Sequence, residues 1–273
     1  MNLSPVVEGA PGIHKDAQVH SSAIIDPSSR VDAGAKIGPW TQIGPDVHIG
    51  EATEIESHVI VRKHTRIGKA NRIFQFSSIG EDTPDLKYKG EPTRLLIGDN
   101  NTIREGVTIH RGTIQDQGET SIGSNNLFMA YVHIGHDCRV GSNIILANNA
   151  SLAGHVKMDD WAITSGYVLI HQRCQIGAHS FCGMAAGISM DVPAFVTVTG
   201  APASARSINV EGLKRRDFSK SDIQALMKAY KLVYRRSLNL DDAIQHILDE
   251  IEISPAIEQF IQSLRSSTRG ITR

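Results

Sequence analysis

Twelve histidines stand in this 273-residue chain, and five of them, His133, His136, His155, His171 and His179, fall between residues 133 and 179. Imidazole titrates near neutral pH and is also a common metal ligand, so such a cluster suits two chemistries. In one, histidines of adjacent subunits bind zinc. In the other, a single neutral histidine takes the proton of a hydroxyl while its neighbours bind substrate. Asp137 directly follows His136 and could orient its ring. A second polar group lies further on, where Asn209 and Glu211 precede the basic run Lys214-Arg215-Arg216. Charged forks beside groups able to bond a base edge have the character of an anion site, for a nucleotide diphosphate or a phosphopantetheine arm.

What must position these side chains is a six-residue repeat. Every sixth residue from Ile13 through Val19, Ile25, Val31 and Ile37 to Ile79 is β-branched and aliphatic. The register returns at Ile97, Ile103 and Ile109, and resumes from Ile122 to Ile188. A period of six fits neither a 3.6-residue helix nor an alternating hairpin sheet. It fits a coil of short parallel strands, three hexads to a triangular turn, with turns stacked about 4.8 Å apart. The fold class is therefore β: a parallel β-helix of hexapeptide repeats over 1–198, followed by a connector over 199–212 and a small α-helical domain over 213–273. Two breaks in register are read as inserted loops, 80–96 and 110–121, and long excursions from a rigid scaffold are more often functional than decorative. Helix starts are expected at Ser219 with Asp222, at Asp241, and at Ser254 before Pro255.

Taken modulo the eighteen-residue turn, His136, His155 and His171 have phases 10, 11 and 9, so they stack along one edge on successive coils; His133 is close by and His179 is on another edge. Cys138, Cys174 and Cys182 fall at inward positions and read as core residues. Their odd, low number fits a reducing compartment. A net charge of −1 excludes the electrostatic excess that nucleic acid or an anionic membrane would require. No run of eighteen apolar residues occurs, so no membrane span is expected, and the N-terminus lacks the pattern of a signal peptide. A cytoplasmic location follows as the expectation.

The stretches DLKYKGEPTR, IREGVTIHRGT, HIGHDC, ILANNASLAGHV, NVEGLKRR and STRGITR together resemble the UDP-N-acetylglucosamine O-acyltransferases that begin lipid A synthesis. The likeness runs over nearly the whole chain, the first ten or so residues forming an extension. It implies a left-handed coil, a homotrimer with clefts between subunits, and transfer of an (R)-3-hydroxyacyl group from acyl carrier protein to the 3-hydroxyl of UDP-N-acetylglucosamine. The donor would ride on the carrier's phosphopantetheine, with no further cofactor and no metal. His136 would be the general base, Asp137 its orienting partner, and the Gly154 N–H the oxyanion donor. Asp85, Lys87, His155 and Gln172 would bind the sugar nucleotide, with His133 and His171 lining the same cleft. Asn209, Glu211, Arg215 and Arg216 would hold uridine, phosphates or the pantetheine arm. Pro84 and Pro202 depart from the family's pattern. Met184, an outward position, would close the acyl groove after about ten carbons, roughly 13 Å along the axis from His136 at ~4.8 Å per coil.

Overall fold

The computed structural model describes residues 10–273, so the N-terminal extension falls almost wholly outside the described residues. Each hexad contributes a strand of two to four residues, and the strands sort into three parallel sheets of nine, eleven and nine strands. The first sheet runs from Gly12–Ile13 to Gln175–Ile176, the second from Gln18–Val19 to Phe181–Cys182 and beyond, and the third from Ile24–Ile25 to Gly187–Ile188. Successive coils pair eighteen residues apart, as in Ile134 with Leu152 and Leu152 with Ile170. The step widens across the two insertions, where Ile67 pairs with Ile97 and Ile109 with Ile134.

The repeat exists because the interior is narrow. Inward aliphatics such as Ile49, Ile67, Ile73 and Ile134 are fully buried, whereas Ile13, on the open first coil, is half exposed. At the edges the coils approach so closely that side chains do not fit. A Cβ on Gly68 would lie 2.6 Å from the Gly98 carbonyl oxygen, and one on Gly98 would lie 2.7 Å from that of Gly123. The residue three after most inward positions takes a left-handed backbone, including Asn143, Asn149, Asp137, His155, Trp161 and His179, all with φ near +60°. That conformation is uncommon for anything but glycine and asparagine. Stacking of identical turns imposes it here, and it throws those side chains outward at each edge.

The insertions are shorter than the sequence indicates, because their ends rejoin the sheets: Ser78–Glu81 and Arg94–Ile97 bracket the first, Thr108–His110 and Glu119–Ile122 the second. Both loops leave the third sheet and return to the first, so they emerge along one edge. The 199–212 segment is not a plain connector. Ser204–Ile208 pairs antiparallel with Val196–Thr199, extending the second sheet by one strand. Four helices follow: α1 (Val210–Lys214), α2 (Lys220–Arg235), α3 (Leu240–Glu250) and α4 (Pro255–Arg265). Ser219 caps α2 by accepting from the Asp222 N–H, and Ser254 with Pro255 opens α4. The cap of α3 is Asn239 rather than Asp241, which lies inside the first turn. No helix among the described residues is long and apolar enough to cross a membrane.

Candidate active site

The edge between the third and first sheets carries the histidines. His136 and Asp137 occupy one turn, Gly154 and His155 the next, and Gln172 and Arg173 the one after, since Ile134, Leu152 and Ile170 are in register. His136 Nδ1 donates to Asp137 Oδ2 at 2.7 Å. An ionised carboxylate only accepts, so the proton is on Nδ1 and Nε2 of the neutral ring is left bare. Asp137 is itself buried and saturated: Thr113 donates to Oδ1 through its N–H and to Oδ2 through its hydroxyl, both at 2.8 Å. Burial pulls the Asp137 carboxyl upward, but the hydrogen bonds from His136 and Thr113 outweigh it and hold it below the ordinary carboxylate range. A charged, fixed partner behind Nδ1 is what a histidine base requires to keep one tautomer and to stabilise its protonated form.

Gly154 faces His136 across the coil. A Cβ there would lie 2.6 Å from His136 Nε2 and Cε1, so only glycine lets the ring occupy its position. The turn leaves its N–H without a backbone partner. On the edge between the first and second sheets the matching amides of Lys69, Asp99, Ser124 and Ser142 are each capped by a side chain of the next coil. No acceptor among the described residues takes the Gly154 N–H. An open, buried donor beside a bare imidazole nitrogen is the pairing that stabilises a developing oxyanion while a proton is removed.

Around this pair, His155 lies edge-to-face on His136 with ring centroids 5.0 Å apart. His133 contacts Thr108 Oγ1 at 2.8 Å through Nδ1. Burial lowers the basicity of His133, and the charges of His110 and His136 add to this. His110 was not singled out by the sequence, yet its ring meets that of His133 at 5.2 Å and its Nδ1 donates to the Asp82 carbonyl at 2.9 Å. The signal was hidden by the second insertion. The register step there is 25 rather than 18, and with those seven extra residues allowed for, His110 takes the phase of His171. His171 shares the edge but not the cluster: it is exposed, and its Nδ1 donates to the Gln172 carbonyl at 3.1 Å.

The first insertion overhangs the same edge and carries Asp85 and Lys87, whose N–H donates to Asp85 Oδ1 at 2.9 Å. It is pinned by Arg111, a fully buried guanidinium that donates to Asp82, to the Tyr88 hydroxyl and to the Gly80 carbonyl.

The second polar group lies on the edge between the first and second sheets. Asn209 is the cap of α1, accepting from the Gly212 N–H and donating to the His179 carbonyl at 3.0 Å. Glu211 is paired with Lys214 at 2.8 Å. Arg216 lies 5.1 Å over the Trp161 ring and donates to His179 Nδ1 at 3.2 Å, while Arg215 is exposed. In one chain, then, these residues do not join the histidines. Met184, three-quarters exposed, is on the remaining edge, between the second and third sheets.

His136, Asp137 and His155 have ligand-capable atoms within 4.8 Å of one another. The Nδ1 atoms and both Asp137 oxygens are already hydrogen-bonded, which leaves two ring nitrogens, fewer than the three or four protein ligands of zinc sites. The cysteines offer nothing further: burial pushes the Cys138 and Cys182 thiols up to about 12 and Cys174 up to about 11.

The chain is similar to known proteins. Residues 191–272 match the family described as UDP-N-acetylglucosamine O-acyltransferase domain 2, and residues 119–154 match the bacterial transferase hexapeptide repeat. The acyl-[acyl-carrier-protein]–UDP-N-acetylglucosamine O-acyltransferase of Ectopseudomonas mendocina is 63% identical over 202 residues, 74% of this chain and 78% of the relative. The structure of LpxA from Acinetobacter baumannii superposes with a TM-score of 0.92 at 50% identity, covering 93% of this chain and 99% of that one. The Francisella novicida UDP-N-acetylglucosamine acyltransferase superposes with a TM-score of 0.90 at 44% identity, with 94% of each chain covered. The chain belongs to the UDP-N-acetylglucosamine O-acyltransferase family of hexapeptide-repeat enzymes.

Proposed function

We propose that the protein transfers an (R)-3-hydroxyacyl group from acyl carrier protein to the 3-hydroxyl of UDP-N-acetylglucosamine, the first step of lipid A biosynthesis. The observation that carries the reading is the pairing of His136, its Nδ1 bound to Asp137, with the uncapped Gly154 N–H beside its Nε2. His136 Nε2 removes the proton of the sugar hydroxyl as its oxygen attacks the thioester carbonyl. The carbonyl electrons move onto oxygen, where the Gly154 N–H stabilises them. Collapse breaks the C–S bond, and the departing pantetheine thiolate takes the proton back from His136. A thioester is already activated, so the reaction requires neither a covalent acyl-enzyme nor a metal. Asp137 steadies the imidazolium through both halves.

In this reading Asp85, Lys87, His133, His155, His171 and Gln172 bind the sugar nucleotide. Asn209, Glu211, Arg215 and Arg216 serve from the facing edge of a neighbouring subunit in a cytoplasmic homotrimer, which their separation from the histidines within one chain supports. Arg216 does so as a stacked, pre-set guanidinium and Asn209 chiefly by shaping α1. Met184 closes the acyl groove and favours a 3-hydroxydecanoyl-like donor. Purified protein given UDP-N-acetylglucosamine and 3-hydroxyacyl carrier proteins should form the 3-O-acyl product in the presence of a chelator. No product, or product only with added metal, rejects the reading.

A further inference from the structure

The second inserted loop carries a carboxylate that does not touch His136. Asp116 Oδ2 lies 3.0 Å from His155 Nδ1, and its other oxygen, Oδ1, accepts from Arg139 at 3.1 Å. The loop is anchored on both sides of this contact, since Thr113 holds Asp137 and the Asp116 and Gly118 N–H groups both donate to the Thr113 carbonyl. Two histidine–carboxylate pairs therefore stand on consecutive coils, His136 with Asp137 and His155 with Asp116. In the second pair the carboxylate comes from the loop rather than from the coil.

The chemistry of the contact sets the ring. An ionised carboxylate accepts only, so His155 carries its proton on Nδ1 and, when neutral, has a bare Nε2. Around Nε2 stand Arg173, a pure donor, at a long 3.5 Å and Asp137 Oδ2 at 3.8 Å, beyond hydrogen-bond reach and already accepting from His136 and Thr113. Asp116, Asp137, Arg139, His155 and Arg173 line a cavity of about 250 Å³. The His155 ring is mostly shielded, with its side chain 11% exposed, so its orientation is set by these contacts rather than by water.

We infer that Asp116 is a positioning residue for acceptor binding: it holds His155 in the Nδ1–H tautomer, so that Nε2 accepts a hydrogen bond from an N–H or O–H of the sugar nucleotide. This rests on the acyl-transfer reading and adds to it a loop residue that sets acceptor affinity. Without Asp116 the ring is free to take the Nε2–H tautomer, which presents a donor where the acceptor substrate also has a donor.

The test compares the intact enzyme with Asp116→Ala and Asp116→Asn, the asparagine keeping both the side-chain volume and an oxygen able to accept from Nδ1–H. Ring-nitrogen NMR, with His155 assigned by the loss of its signals in His155→Gln, should show the Nδ1–H tautomer in the parent and in the asparagine variant, and the Nε2–H tautomer in the alanine variant. KM for UDP-N-acetylglucosamine should rise about tenfold in Asp116→Ala with kcat within about threefold, and return to within about threefold of the parent in Asp116→Asn. An unchanged tautomer in Asp116→Ala, a loss confined to kcat, or no recovery in the asparagine variant overturns the proposal. If the parent shows no acyl transfer, the reaction is misassigned, and the tautomer measurement, which needs no substrate, still decides whether Asp116 sets the ring.

Discussion

His155 and His179 occupy the same register position on two edges of one prism. Each is three residues beyond an inward residue, each has a left-handed backbone, with φ of +60° and +58°, and each ring packs on aromatic neighbours. Their chemistry nevertheless diverges. His155 has a carboxylate on Nδ1 and lines a cavity, with Arg173 3.5 Å from Nε2. His179 is sandwiched between Trp161 and Phe195, with Phe218 across its edge and the Arg216 guanidinium on Nδ1. Burial, reinforced by Arg216, pushes His179 down to about 4. The coil dictates where an imidazole stands, and the loop or helix that covers the edge dictates what it does. Where an inserted loop supplies a carboxylate, the imidazole is left lining a cavity; where α1 and the segment after it supply a cation and a phenyl ring, the edge becomes a joint between prism and helices.

The largest test of this division is the loss of His136 itself. His136→Ala should lower kcat by about 10²–10⁴-fold, the range of general-base catalysis. The ring is on the outside of the coil, away from its aliphatic interior, so its removal costs chiefly one hydrogen bond to the buried Asp137 carboxylate and the melting temperature should fall by only a few degrees. Retention of more than a tenth of the activity would place the base elsewhere.

Gly154→Ala comes next and attacks the same edge from the backbone. The added Cβ would meet His136 Nε2 and Cε1 at 2.6 Å, so the ring must swing away from both its proton acceptor position and the oxyanion donor. Displacement of about 1 Å in a reacting group costs on the order of 10²-fold. We expect kcat to fall by about that factor while the acyl-carrier KM stays close to the parent's. A fully active Gly154→Ala enzyme would refute the shared site.

How much of this was legible in the chain follows from which interactions are local. The inward aliphatics from Ile13 to Ile188 announce the prism because one side chain per hexad must fill a narrow interior, and that constraint is written at fixed spacing. The His136–Asp137 pair is adjacent in sequence and equally plain. The left-handed turns at Asp137, His155 and Trp161 were less plain: aspartate and histidine enter that region more readily than most residues, tryptophan does not, and stacking imposes it on all three. Asp116 and His110 escaped notice because insertion lengths carry no phase. Ser204–Ile208 carries no strand signal of its own, because its pairing partner, Val196–Thr199, accepts it only once the second sheet exists. Asn209 was legible as polar but not as a helix cap.

Met184→Gly concerns the third edge and should change selectivity rather than rate. The side chain is exposed, on the turn between Phe181–Cys182 and Gly187–Ile188, so its removal leaves the coil's interior untouched. Opening a groove by a few methylene-sized volumes is worth about 1–3 kcal/mol of discrimination. The ratio of kcat/KM for 3-hydroxymyristoyl over 3-hydroxydecanoyl donor should rise by about tenfold or more, with the trimer intact by sedimentation. An unchanged ratio would reduce Met184 to a packing residue.

The smallest effect is a pH dependence of stability that belongs to the His179 edge alone. Its ring is held near 4 in the folded chain against an ordinary 6.5 in the unfolded one. As pH falls from about 6.5 towards 4, the unfolded state takes up this proton and the folded state does not, so stability is full above the window and is lost progressively through it. Because the ring is only part-buried, screening reduces the effect, and we expect a loss of about 1–2 kcal/mol across the window. His179→Phe keeps an aromatic ring between Trp161 and Phe195 but removes the titration. Denaturant midpoints measured at steps from pH 7 to 4 should therefore fall less steeply in His179→Phe than in the parent. The carboxylates make a separate acid leg that both proteins share: Asp137, with its depressed pKa, contributes stability above the ordinary carboxylate range and loses it as pH falls through its folded value. Subtracting the two curves isolates the histidine, and identical slopes between pH 6.5 and 4 would show that the aromatic edge does not hold His179 neutral.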